Sequence, residues 1–275
     1  MSIAILLASY NSSKYLKEQI ESIISQTYIN WDLYIRDDGS TDNTLDIIHS
    51  FVNQDSRIHF VSDEHKGLGA AKSFMKLLEI VHADYYMFSD HDDMWLPNKI
   101  EKSYVEMKKI ELKASHLPII VHSDLFVVDK DLKILEKSFW RSSAIIPGVL
   151  KTRNFFQVFN FVTGCTMLFN RQVKNHVFPF PSDIPMHDWW ITMKVLQHKG
   201  IVEEISLPLI YYRQHGGNEV GAREVDANYF IRKIVNIRST IYIQYQHILF
   251  LKGVGGLNIL MYYYYKIYYT IIRNR

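Results

Sequence analysis

Two periodicities of apolar and polar positions alternate along the first half of the chain. Ile3 to Ala8 is an unbroken apolar run, as expected of a strand covered on both faces of a sheet. Tyr15, Leu16, Ile20, Ile23, Ile24 and Thr27 then recur at helical spacing, and Asn11, Ser12 and Ser13 offer that helix a cap. Trp31 to Arg36 reads as a second strand, stopped by Asp37-Asp38-Gly39-Ser40, and Thr41 to Val52 as a helix. Ile58 to Ser62 reads as a third strand, Leu68 to Val81 as a helix, and Tyr85 to Ser89 as a fourth strand running into Asp90-His91-Asp92-Asp93. This succession of strand–helix units predicts a doubly wound α/β sheet.

The second half is less regular. Ile119 to Asp129 and Thr163 to Phe169 read as strands, and Asp188 to His198 as a helix whose apolar positions are Trp189, Ile191, Met193, Val195 and Leu196. Gly216 to Glu224 has the composition of a linker, which divides a body over residues 1–220 from an extension over 225–275. In the extension, Tyr229 to Leu251 and Leu257 to Ile272 carry apolar and aromatic residues at near-helical spacing on either side of Gly253, Gly255 and Gly256. Two helices joined by a glycine hinge are expected there.

Charge sharpens this division. The formal net charge of +2 conceals seven Lys/Arg against one acid from Asp226 onward, a +6 tail on a −4 body. The tail also holds nine of the eighteen tyrosines. With 48% apolar residues over 275 positions the chain is expected to bury a sizeable core. Its single cysteine, Cys165, excludes an intramolecular disulfide framework and a multi-cysteine zinc site. The start MSIAILLASYN lacks a basic segment and a cleavage pattern, and no apolar run reaches spanning length, so a cytoplasmic location is expected. The acidic body has no basic stripe for nucleic acid.

In an open α/β sheet ligands bind beyond the carboxyl ends of the strands. Asp37-Asp38 and Asp90-His91-Asp92-Asp93 both fall at such ends. The first, taken alone, reads as a turn that caps the next helix. In the second, three carboxylates within four residues repel one another, and a divalent cation bound through oxygen ligands would relieve that repulsion.

At these residues the chain resembles glycosyltransferase family 2, the inverting nucleotide-sugar transferases of GT-A fold. The matching segments, in order, are LLASYN (6–11), RDDGSTDNT (36–44), SDHDDMWLPNKI (89–100), TGCTMLFNR (163–171), HDWW (187–190) and YRQHGGN (212–218). The wording is most similar to the rhamnosyltransferase-like branch that builds bacterial surface polysaccharides, with His91 where Gln is common and Gly217 where Asn is common. The resemblance implies a Rossmann-like nucleotide-binding half joined to an acceptor-binding half in one mixed sheet. It further implies a hexosyltransferase using a UDP-sugar or dTDP-rhamnose, and an acceptor that is a glycan, a glycoprotein or a lipid-linked sugar.

By the same resemblance Ala8, Ser9, Tyr10 and Asn11 meet the nucleoside, and Asp38 accepts from the pyrimidine N3–H. Lys66 lies near the nucleotide or is a solvated loop lysine. Asp90 contacts ribose or metal-bound water, Asp92 is the principal ligand of Mn²⁺ or Mg²⁺, and His215 meets the metal or the diphosphate. Arg213 adds charge near the phosphates. Asp93, Gly164, His187, Trp189 and Trp190 are assigned to the sugar or the acceptor, with at least one of the two tryptophans expected in the core. Asp188 is the general base, or else the N-cap of its helix; a carboxylate held by helix N–H groups would be a weaker base.

Three other classes fit less well. A sugar nucleotidylyltransferase would follow its first strand with a glycine-rich basic loop, where this chain has Ser-Tyr-Asn. A glycoside hydrolase needs two flanking carboxylates, not an acidic cluster at each of two strand ends. A non-catalytic nucleotide-sugar-binding protein of the same fold would not need Asp38, Asp92, Asp188 and His215 together. For the basic, tyrosine-rich tail three partners stand open: a membrane surface, a second subunit, or the catalytic body itself.

Overall fold

The computed structural model describes residues 2–215 and 237–273. The apolar runs become β1 (Ile3–Ser9), β2 (Trp31–Asp37), β3 (Ile58–Phe60) and β4 (Tyr85–Ser89), paired in parallel in the order β3-β2-β1-β4. Every residue of β1 is buried, as a strand with helices on both faces requires. The connecting helices are α1 (Leu16–Ile24), α2 (Thr44–Gln54) and α3 (Ala70–Ile80). Asn11, Ser12 and Ser13 do not cap α1 with their side chains. The Ser12 carbonyl instead accepts from the Tyr15 and Leu16 amides, and Tyr15 is the residue before the helix.

Beyond β4 the chain makes β5 (Met94–Trp95), α4 (Lys99–Ala114), β6 (Ile119–Val128) and β7 (Ile134–Glu136). Two short helices follow, α5 (Phe139–Ser142) and α6 (Pro147–Leu150). The strand expected over Thr163 to Phe169 splits, because Gly164–Thr166 winds into a 3₁₀ turn and β8 (Met167–Asn170) starts after it. Then come α7 (Lys174–Val177), α8 (His187–Gln197) and β9 (Ile201–Arg213). The sheet runs β3-β2-β1-β4-β8-β6-β9-β5, with β7 on β6. β8 is antiparallel to both β4 and β6, whereas β9 is parallel to β6. A parallel nucleotide-type half is thus sewn to a mixed half by β8.

Each face of the sheet has its own core. Ile3, Ile5, Leu7 and Leu33 face α1, α2 and α4. Ala4, Leu6, Tyr86 and Phe88 face α3 and α8, and the same core takes in α9 (Ile237–Gly253) and α10 (Ile259–Arg273) through Leu251, Tyr262, Tyr265 and Tyr269. The expected boundary at Gly216 to Glu224, and the start of the helix expected from Tyr229, lie outside the described residues. The described part of the extension packs on the body. Tyr269 Oη donates to the Ala144 carbonyl at 2.8 Å and accepts from the Ile146 amide at 3.0 Å. His247 Nε2 lies 3.1 Å from the Gln157 carbonyl. None of the described helices is long and apolar enough to cross a membrane.

Candidate active site

The carboxyl ends of β1 and β2 are laced together by side chains. Asn11, at φ 45°, accepts the Thr41 amide on Oδ1 at 2.9 Å and donates its own amide to Ser40 Oγ at 2.8 Å. Asp37 accepts the Gly39 and Ser40 amides at 3.0 and 2.8 Å, a turn that needs Gly39 at φ 97°. Tyr10 is exposed at the rim, while Ala8 is buried and Ser9 turns its hydroxyl inward to Ser12 Oγ at 2.9 Å.

Asp38 is nearly buried and held by three donors: Arg36 Nη1 at 2.8 Å and the Leu68 and Gly69 amides at 3.0 and 2.8 Å. Arg36, 1% exposed, also bridges Asp63, Ser73 Oγ and the His65 carbonyl. Together they fold the 63–69 loop back over the strand end, and the Lys66 side chain passes against Gly39. A buried arginine inside RDDGS was the signal for this brace. Sequence reasoning named its acid and not its base.

The acidic loop after β4 divides by burial. Asp92 Oδ2 stands 2.8 Å from His215 Nε2, so two residues 123 apart in sequence offer an oxygen and a nitrogen to one point. The His215 ring lies against Tyr15, with centroids 5.0 Å apart, and His91 Nδ1 is 3.3 Å from the Ala8 carbonyl. The loop is thereby tied to the end of β1. Asp92 and His215 are the pair whose spacing fits two ligands of one divalent cation, while half-buried Asp90 has its oxygen near Asp93 and Cys165.

Asp93 does not face a sugar. It is fully buried, and it accepts the Arg213 amide at 3.2 Å on one oxygen. Burial, with the neighbouring Asp92 and Asp90 charges, pushes its carboxyl well above the usual range. Cys165 Sγ lies within 4.8 Å of Asp90 and Asp93 oxygens, and burial raises that thiol too, so the trio suits a hard cation poorly as a ligand set. Beneath it, Lys99 Nζ sits 3.5 Å over the Trp95 ring, and burial pushes its ammonium down to about 7.

Arg213 does not serve the diphosphate either. Its guanidinium is 2% exposed and clamps three partners: the Asp92 carbonyl at 2.9 Å, the Lys130 carbonyl at 2.7 Å and Glu18 at 2.5 Å. It holds the acidic loop, the β6–β7 turn and α1 in one arrangement.

Asp188 lies in the first turn of α8, 6% exposed. One oxygen accepts Asn160 Nδ2 at 2.9 Å and the Trp189 amide at 2.6 Å, and the other accepts the Gly164 amide at 3.0 Å. Burial raises its carboxyl to about 6 and outweighs these hydrogen bonds, which lower it. The weakening expected of a capping carboxylate is thus reversed. Asn160 was missed from sequence; its signal was a polar residue set between Phe159 and Phe161.

The neighbours of Asp188 are structural. Trp189 and Trp190 both lie in the core, their indole N–H groups bound to the Phe156 and Val177 carbonyls at 2.7 and 2.9 Å, so neither walls an acceptor. His187 is buried against Phe74 and Phe88, and burial pushes its imidazole down to about 3. It neither contacts the surface nor bonds Asp188. It fills the space beside Gly164, where a Cβ would stand 2.7 Å from its Nε2. Gly164 itself orients Asp188 through its amide, and the next residue, Cys165, touches the acidic loop. Gly216 to Asn218, the end of the YRQHGGN segment, lie outside the described residues.

The profile described as Glycosyl transferase family 2 matches residues 4–178. WfaP of Escherichia coli, a UDP-Glc:alpha-D-GlcNAc-diphosphoundecaprenol beta-1,3-glucosyltransferase, is 30% identical over 264 residues, covering 93% of this chain and 94% of its own. The dTDP-rhamnosyl transferase RfbG of Shigella flexneri is 27% identical over 231 residues, 78% of this chain and 74% of its own. Among solved structures, S. aureus TarS 1-349 in complex with UDP-GlcNAc superposes with a TM-score of 0.58 at 19% identity, over 84% of this chain and 64% of that one. The mannosyltransferase PcManGT from Pyrobaculum calidifontis, in complex with GDP-Man and Mn2+, gives 0.56 at 16% identity, over 80% of this chain and 58% of its own. This chain therefore spans less than two thirds of either solved neighbour, and at those identities the likeness shows a shared GT-A fold. With the family profile covering most of the body, the chain belongs to glycosyltransferase family 2 and is a glycosyltransferase.

Proposed function

We propose that the chain moves a sugar from a UDP-sugar or dTDP-rhamnose to a hydroxyl of a lipid-diphosphate-linked glycan in bacterial surface polysaccharide synthesis, by single displacement with inversion. The observation that carries this reading is the turn at Gly164 and Cys165. Its first residue holds Asp188, and its second touches the acidic loop that carries Asp90 and Asp92. Base and donor-side groups are thereby fixed to one piece of backbone. Support for the acceptor class comes from the WfaP relative, whose named acceptor is a diphosphoundecaprenol-linked sugar and whose match runs almost the full length of both chains.

Asp188 is the general base. A carboxyl at about 6 is ionised near neutral pH yet basic enough to take a proton that the attacking hydroxyl loses. Asn160 and the Gly164 amide fix its two oxygens, so the proton is taken in one direction. The acceptor oxygen attacks the anomeric carbon opposite the diphosphate, and the bond to the diphosphate breaks with its electron pair leaving on oxygen. Asp92 and His215 would hold Mn²⁺ or Mg²⁺, and such an ion would supply Lewis-acid stabilisation of the leaving diphosphate. Tyr10, Asn11 and Lys66 line the nucleoside side, and Asp38, steadied by Arg36 and the Leu68 and Gly69 amides, accepts the pyrimidine N3–H.

The test is a transfer and hydrolysis screen over UDP-sugars and dTDP-rhamnose with Mn²⁺, on a synthetic lipid-diphosphate sugar. One donor is expected to give a product of inverted anomeric configuration. Asp188→Asn should keep nucleotide affinity and lose about 10²–10⁴-fold in rate. Asp92→Ala should lose metal-dependent nucleotide binding in calorimetry. Retained configuration, or transfer by Asp188→Asn at the wild-type rate, overturns the assignment.

A further inference from the structure

Helix α10 is apolar on both sides. Tyr262, Tyr265 and Tyr269 bury one face against the body, yet Leu260, Tyr264, Ile267 and Ile271 recur at helical spacing on the opposite face and are 50–80% exposed. Helix α9 repeats the arrangement. Ile248 and Leu251 point into the core, while Ile241, Tyr245 and Leu249 form an outward stripe that leads to exposed Lys252. Twelve of the 21 exposed large hydrophobic residues described lie on these two helices, so this surface is a concentrated patch and not a scatter of single exposed side chains. A helix that is hydrophobic all round is ordinarily covered all round.

Charge selects the occupant. No Asp or Glu follows Asp226, while Arg232, Lys233, Arg238, Lys252, Lys266, Arg273 and Arg275 do. A second copy of the same patch would bring like charges together without an acid to answer them. Among the described side chains Lys252 stands exposed at the end of this stripe, and an anionic lipid surface answers both it and the acid-free composition of the tail, while tyrosines with an apolar body and a polar tip suit the headgroup boundary. Over its described residues, neither helix is long and apolar enough to cross. We infer that the outward faces of α9 and α10 form a peripheral docking surface for an anionic bilayer, with aliphatic and tyrosine side chains set into the headgroup region and Lys252 at the phosphates. The inference goes beyond the proposed function, because it holds whichever acceptor the enzyme uses.

The experiment is co-sedimentation of the full chain with vesicles of phosphatidylcholine alone or with 30% (about a third) phosphatidylglycerol, an order-of-magnitude choice that gives a strongly anionic surface. Binding is expected to the anionic vesicles, to weaken with salt, and to be lower on the neutral ones. Leu260→Ser with Ile267→Ser and Ile271→Ser, all on the outward face, should lower the partition coefficient at least about tenfold. Lys252→Gln should lower it about fivefold. Unchanged circular dichroism and nucleotide binding in these variants separate docking from folding and from the catalytic reading. Absence of binding by the wild type, or equal binding by the triple variant, overturns the proposal. So does a wild-type dimer in sedimentation that the triple variant abolishes without any vesicle binding.

Discussion

Asp188 shows how environment can outweigh the hydrogen bonds of an ordinary carboxylate. Three donors hold it and would lower its pKa, yet burial prevails and brings it to about 6. On the proposed role as general base, which works only when ionised, kcat/KM should be level above that value and fall tenfold per unit as pH drops through it. A pH profile of the wild type measures this; a profile flat down to pH ~4.5 would remove Asp188 as the titrating group. Gly164 gives a second prediction. An added Cβ would meet His187 Nε2 at 2.7 Å, and Phe74 and Phe88 pack against that imidazole. Gly164→Ala should therefore destabilise by about 1–3 kcal/mol and shift the amide that holds Asp188. Thermal melts should show the loss, and His187→Ala in the same chain should restore part of it. The identity of Asp188 was legible in HDWW. The inward turn of both following tryptophans was not, because periodicity marks the buried face of a helix only when its opposite face is polar, and α8 is buried nearly all round.

Of the elements the sequence did not reveal, which include α4, β5 and β7, β9 bears most on the site. Glu203, Glu204 and Pro208 interrupt its apolar positions, and the strand accommodates them with register shifts against β6 at Ser123 and Asp124, where Pro208 stands opposite Asp124. Without that strand, Arg213 and His215 looked like residues of a free loop near the phosphates. With it, Arg213 becomes a clamp whose donors reach three separate segments. Arg213→Met should cost at least about 2 kcal/mol, since it strips donors from buried carbonyls. It should also weaken metal-dependent nucleotide binding by loosening the Asp92 loop. Urea melts and calorimetry measure the two effects; stability lost with nucleotide affinity intact would confine the clamp to folding. The βα units of the first half were legible to within a few residues, because β1 is an unbroken apolar run, β2 keeps Trp31, Leu33 and Ile35 on one buried face, and the helices are amphipathic.

For the molecule as a whole, the division read from composition and charge is not a division of packing. The expected linker lies outside the described residues, but α9 and α10 share one core with α3, α8 and the first strand. Leu251, Tyr262, Tyr265 and Tyr269 would leave that core if the chain were cut after Glu224. The truncated chain should melt at a lower temperature and expose apolar surface to a reporter dye, which differential scanning fluorimetry would show; an unchanged melting temperature would mark the extension as separable. Charge could not foresee this, because basic residues at a helix surface are compatible with a buried stripe beneath them.

The Trp189 ring stands edge-on to His247 of α9, with centroids 4.3 Å apart, and its backbone amide is bonded to Asp188. Asp188 is thus one aromatic residue away from a helix whose other face looks outward. A displacement of that helix by an ångström has no slack to absorb it in a close-packed interior. On the proposed role of Asp188, a shift of α9 would reach the base through Trp189.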